Sequence, residues 1–103
     1  MKIAVISKNP PGGRCTLYGF YAAVLADCFQ GAVETVFPLP EADIQPPALT
    51  VDGTVITPED GLILSPADVY NGLARQGLPV ETHADLLARL ETAETDFMEK
   101  CGS

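Results

Sequence analysis

Two short β-branched runs with one helical stretch between them constrain this chain more than anything else in it. "KIAVIS" (2–7) reads as a buried central strand, and "AVETVFPL" (32–39) alternates polar with apolar and β-branched residues as a second strand does. "KNPPGG" between them breaks regular structure and predicts a loop. From Thr16 to about Gln30 the spacing turns helical, with Leu17, Tyr21, Val24 and Cys28 on one face and Phe20, Leu25 and Phe29 widening it. Gly31 is the expected stop. A strand, a helix and a strand of these lengths form a βαβ unit, so the two strands are expected to run parallel.

The remainder adds local signals. "PEADIQPP" (40–47) is a proline-rich connection. "ALTVDGTVI" (48–56) places Asp52-Gly53 between two β-branched runs, a hairpin signal, because a type I′ turn needs positive φ at both central residues. Ser65 followed by Pro66 and Asp68 predicts a capped helix with Val69 and Leu73 on its apolar face, ending at Gly77. A last helix is predicted from near Thr82, with an apolar stripe of Leu86, Leu87, Leu90, Ala93 and Phe97 and a frayed tail. The resulting order, β-α-β-β-β-α plus one further C-terminal helix, predicts an α/β fold with a four-stranded mixed sheet. The chain reads as a single domain over 1–103, with a core of 1–77 and an additional helix in 78–103.

Composition excludes several function classes. At 103 residues with 47% hydrophobic content, the chain closes one modest core. Its net charge of −8 argues against nucleic acid and against an anionic membrane surface. No apolar run approaches the about 20 residues of a membrane span, and "MKIAVISKNP" is not a signal peptide, so the expected location is the cytoplasm. Cys15, Cys28 and Cys101 form no CxxC, and the lone His83 leaves no local zinc motif.

Three features together resemble the thioredoxin-like superfamily in its compact form, over residues 1 to about 77. They are the order of elements, "PPALTVDGTVI" with a proline before an antiparallel hairpin, and "GLILSPADV" leading into the final helix of the core. The resemblance implies that Pro47 is the family's cis-proline, packed against the start of the first helix. The chain departs from the family in two places. Pro46, before the cis-proline, has no N–H to offer an extended substrate. The family's CxxC falls on Gly12-Gly13-Arg14-Cys15, which keeps only the second, resolving position. If Cys15 is instead placed first, the motif is "CTLY". Under either register, oxidation of a dithiol within the motif is impossible.

The candidate site is therefore Cys15, with Gly12, Gly13, Arg14, Pro46 and Pro47 as binding residues and Cys101 as a resolving thiol. A thiol at a helix N-terminus beside Arg14 is biased toward the thiolate. The competing reading makes Cys15 a capping-region residue of a site without chemistry. Gly12 and Gly13 suit either an anion-holding nest or a plain turn. Cys28 reads as a structural core thiol, His83 as solvated, Tyr18 and Tyr21 as core or rim aromatics, and the acids of the last helix as a solvated face. Two functions remain open. One is a single-cysteine redox or sulfur-transfer protein acting on a protein or small thiol without a cofactor. The other is a non-catalytic binding or self-association module, in which the stripe of the C-terminal helix is covered either by its own domain or by a second copy in a homodimer. Metal binding by cysteines brought together in the fold is a remote third.

Overall fold

The computed structural model describes residues 1–8, 12–61 and 63–101. β1 (Lys2–Ile6) leads into helix α1 (Gly13–Phe29) and strand β2 (Ala32–Val36). β3 (Ala48–Val51) and β4 (Thr54–Val55) follow as a hairpin, then helices α2 (Pro66–Arg75) and α3 (Leu86–Cys101). The class is α/β, with one four-stranded mixed sheet in the order β2-β1-β3-β4. β1 runs parallel to β2 in the register Ile3↔Val33 and antiparallel to β3 in the register Ile6↔Ala48.

Side-chain alternation gives the sheet two unlike faces. Ile3, Val5, Leu49 and Val51 share one core with buried residues of all three helices. Ala4, Ile6 and Ala48 face the other way and form a smaller cluster with Val36 and Ile44. Helix α1 lies on the sheet, and α3 packs in turn on α1 and α2. Leu86, Leu90 and Ala93 of the expected stripe are thereby buried within the chain, while Phe97 is partly buried and Leu87 stays 37% exposed. That helix belongs to the same core as residues 1–77.

Local chemistry explains most boundaries. Asp52 and Gly53 both take positive φ, 51° and 85°, as the hairpin turn demands. The Asp52 carboxylate also accepts from the Lys2 N–H at 2.8 Å, pinning the turn to β1. Ser65 and Asp68 form the full capping box: Ser65 Oγ accepts from the Asp68 N–H at 3.1 Å, and Asp68 Oδ2 accepts from the Ser65 N–H at 3.0 Å.

Four expectations need correction. Helix α1 begins at Gly13, not Thr16, so Gly13, Arg14 and Cys15 belong to its first turn, where backbone N–H groups need no intrahelical acceptor. The helix stops at Gln30, whose φ of 53° makes it the left-handed cap. Gly31 has a different role: a Cβ there would sit 2.8 Å from the Met1 carbonyl oxygen, so glycine permits β2 to pass the chain's start. β2 ends at Val36, since Pro38 carries no N–H to continue a ladder. Helix α3 starts at Leu86 rather than near Thr82. The Thr82 hydroxyl donates back to the Pro79 carbonyl at 2.7 Å instead of capping forward, and Val80–Thr82 form a 3₁₀ turn.

Candidate functional site

At one end of the sheet, the exit of β1, the start of α1 and the double proline converge. Gly12 is the N-cap of α1 in an extended conformation, φ −86° and ψ −176°, and offers no side-chain cap. Cys15 is the third helical residue and is 4% exposed. Its Sγ accepts from the Lys8 N–H at 3.4 Å. Burial pushes the Cys15 thiol up. Hydrogen bonds from the Lys8 N–H, the Ser7 hydroxyl and the Gly12 N–H, joined by the Lys8 ammonium, outweigh it and hold the thiol below its ordinary value. The Ser7 hydroxyl has one proton and also reaches the Lys8 carbonyl at 2.8 Å, so it can serve the sulfur only by leaving that acceptor.

A recess of about 160 Å³ lies against the thiol, lined by Lys8, Gly12, Gly13, Arg14, Cys15 and Pro47. A single water needs about 10–15 Å³ of such space, so the recess has room for several waters or for a few sulfur- and methylene-sized groups. Arg14 and Pro47 also border a larger groove of about 420 Å³ that reaches Tyr18, Gln45, Pro46 and Val55. The Pro46–Pro47 peptide bond is cis. Five of the binding and catalytic candidates, Gly12, Gly13, Arg14, Cys15 and Pro47, thus share one recess, and Pro46 lies in the adjoining groove. Cys101 closes α3, and its side chain lies outside the described part of the structure, as do residues 9–11 of the "KNPPGG" loop.

The other singled-out residues have structural partners. Cys28 is half-buried, and its Sγ accepts from Arg89 Nη1 at 3.0 Å, while Arg89 Nη2 pairs with Asp27. Burial pushes the Cys28 thiol up, opposite to Cys15. His83 is half-buried rather than fully exposed, with its ring 4.4 Å from that of Phe29. Tyr18 and Tyr21 are fully buried and do more than pack. The Leu64 N–H donates to the Tyr18 hydroxyl and the Tyr21 hydroxyl donates to the Leu64 carbonyl, each at 3.1 Å. Together they clamp the segment before α2 onto α1. Sequence reasoning missed this clamp and missed Ser7 and Lys8. An offset of 43 to 46 residues leaves no local signal for the clamp. For Lys8, the signal available was its place at the carboxyl end of a central strand.

Among the described residues no three His, Cys, Asp or Glu side chains are grouped to hold a metal ion, and no helix is long and apolar enough to cross a membrane. What the geometry defines is an α/β protein with a hydrogen-bonded thiol at a helix start. Comparison with family models, with curated proteins and with solved structures found no match.

Proposed function

We propose that the chain is a thioredoxin-like protein in which Cys15 alone performs thiol chemistry. One observation carries the reading: the Cys15 sulfur receives backbone donors at a helix N-terminus and lines a recess with Pro47. Gly12 at the N-cap corresponds to the family's attacking position, which favours the register that leaves Cys15 in the second place. The cis Pro46–Pro47 bond and the order of elements support the same assignment.

In this reading the Cys15 thiolate attacks one sulfur of a small disulfide. A bond forms between Cys15 Sγ and that sulfur, the old sulfur–sulfur bond breaks, and its other half leaves as a thiolate. A second small thiolate then attacks the substrate sulfur of the mixed disulfide and frees Cys15. The recess of about 160 Å³ has room for a low-molecular-weight or extended disulfide. A free thiol of this kind suits a reducing compartment, and we place the protein in the cytoplasm.

The test is native-state labelling of the wild type, Cys15→Ser and Cys28→Ser with a small disulfide, read by intact mass across pH. The expected result is a mixed disulfide at Cys15, formed with a midpoint below that of an ordinary thiol. A Cys15 that stays unlabelled while Cys28 reacts overturns the reading. That outcome favours a non-catalytic binding module, the alternative supported by the 4% exposure of Cys15.

A further inference from the structure

A second groove, of about 370 Å³, opens on the far side of the first turns of α1, between the segment before α2 and the end of α3. Its floor is apolar, made by Leu17, Leu64 and Phe97. Ile63 and Met98 stand on its rim at 38% and 58% exposure, two large apolar side chains left in solvent beside an apolar hollow. Around them are Glu59, Asp60, Asp68 and Glu94, and among the described residues no lysine, arginine or histidine lines the groove. Two of the four carboxylates are held in place from below: Asp68 accepts from the Ser65 N–H and Asp60 from the Ile63 N–H. An ionised carboxylate has about four acceptor positions, so the Ser65 bond orients Asp68 without using it up.

We propose that this groove docks a basic amphipathic segment of a partner protein. One bulky apolar side chain seats between Leu17, Leu64 and Phe97, and flanking lysines or arginines meet the Glu59, Asp68 and Glu94 carboxylates. Charge complementarity selects this occupant. A second copy would bring another chain of net charge −8 against the same carboxylates. The thioether of Met98 adapts to different apolar anchors, which suits a docking rim. The proposal does not depend on chemistry at Cys15, which lines a different recess.

The experiment titrates the full chain, labelled with nitrogen-15, with two capped hexapeptides. One carries leucine and phenylalanine flanked by lysine pairs, and the other carries the same two residues flanked by glutamates. The lysine peptide is expected to shift the amides of Ile63, Leu64, Phe97 and Met98 and to weaken as salt screens the rim. Glu59→Gln combined with Glu94→Gln is expected to weaken it about fivefold, the sum of two exposed charge pairs. Met98→Ser, at an exposed position that leaves the core intact, is expected to weaken it as well. Shifts located elsewhere, equal binding of both peptides, or no shift at all overturn the proposal. Concentration-dependent shifts of the same amides without peptide would assign the groove to a second copy.

Discussion

If the first turn of α1 has the geometry of a two-cysteine site with one member missing, Gly12→Cys should complete it. A Cβ built on Gly12 meets nothing within 4 Å, and the extended N-cap backbone accepts any L residue, so the substitution fits without strain. Oxidation would close a loop of four residues from position 12 to Cys15. The chain-entropy relation for so short a loop gives about 2 kcal/mol of stabilisation from restricting the unfolded state. For a chain of this length ~1 kcal/mol moves the melting temperature by about 4 °C, so the oxidised variant should melt about 8 °C above its reduced form. The donors on Cys15 act in the opposite direction, because they stabilise the thiolate of the reduced state. The gap should therefore be widest near pH 5, where thiols are protonated, and narrower near pH 8. Mass spectrometry reads the loss of two hydrogens, and thermal melts of oxidised and reduced protein read the gap, with Gly12→Cys/Cys15→Ser as control. Failure to form the disulfide, or a gap that widens as pH rises, would refute the geometry assigned to this turn.

The unmodified thiol should couple folding to pH. The folded Cys15 value lies below its unfolded one, so its contribution is fully present above the unfolded thiol value and is lost as pH falls through the folded value. Urea midpoints of wild type minus Cys15→Ser should therefore grow from about pH 6 to pH 9, and a flat or falling difference would reject a stabilised thiolate. Tyr21→Phe removes the donor to the buried Leu64 carbonyl and should cost about 1–3 kcal/mol, seen as a lower urea midpoint at unchanged slope. An unchanged midpoint would mean that water replaces the bond.

What was legible in the sequence was what is decided within a few residues. Asp52-Gly53 carries its own turn, and Ser65, Pro66 and Asp68 carry their own cap. The misread boundaries have two causes. Nothing near Gly31 announces that the distant Met1 carbonyl will lie against it, whereas at Thr82 the contest is local: its hydroxyl turns back to the Pro79 carbonyl three residues earlier instead of capping forward. Helix α1 is covered by the sheet on one side and by α3 on the other, so its single-stripe reading names only part of its buried set. At the site, a helix start beside a cysteine was readable. The donors were not: Lys8 approaches Cys15 only after α1 folds back along β1.

The meeting of the arginine-cysteine corner with the double proline has a topological cause that holds whatever the protein does. Ala48 pairs with Ile6 across the antiparallel β1–β3 ladder. Pro47, just before Ala48, therefore arrives beside Ser7 and Lys8, just after Ile6. The crossover from β1 to the parallel β2 brings the start of α1 to the same carboxyl end, where open α/β sheets keep their ligand crevices. Proximity of Cys15 to Pro47 is thus a consequence of register, and by itself it does not separate a reactive thiol from an inert one. The donors distinguish the two free thiols from each other. A structural thiol in an apolar setting has its pKa raised, as Cys28 does even with Arg89 against it. Cys15 is the more deeply buried of the two, yet it shifts downward because backbone N–H groups from two different segments converge on its sulfur. That convergence favours a negative charge on a sulfur that lines the recess with Pro47.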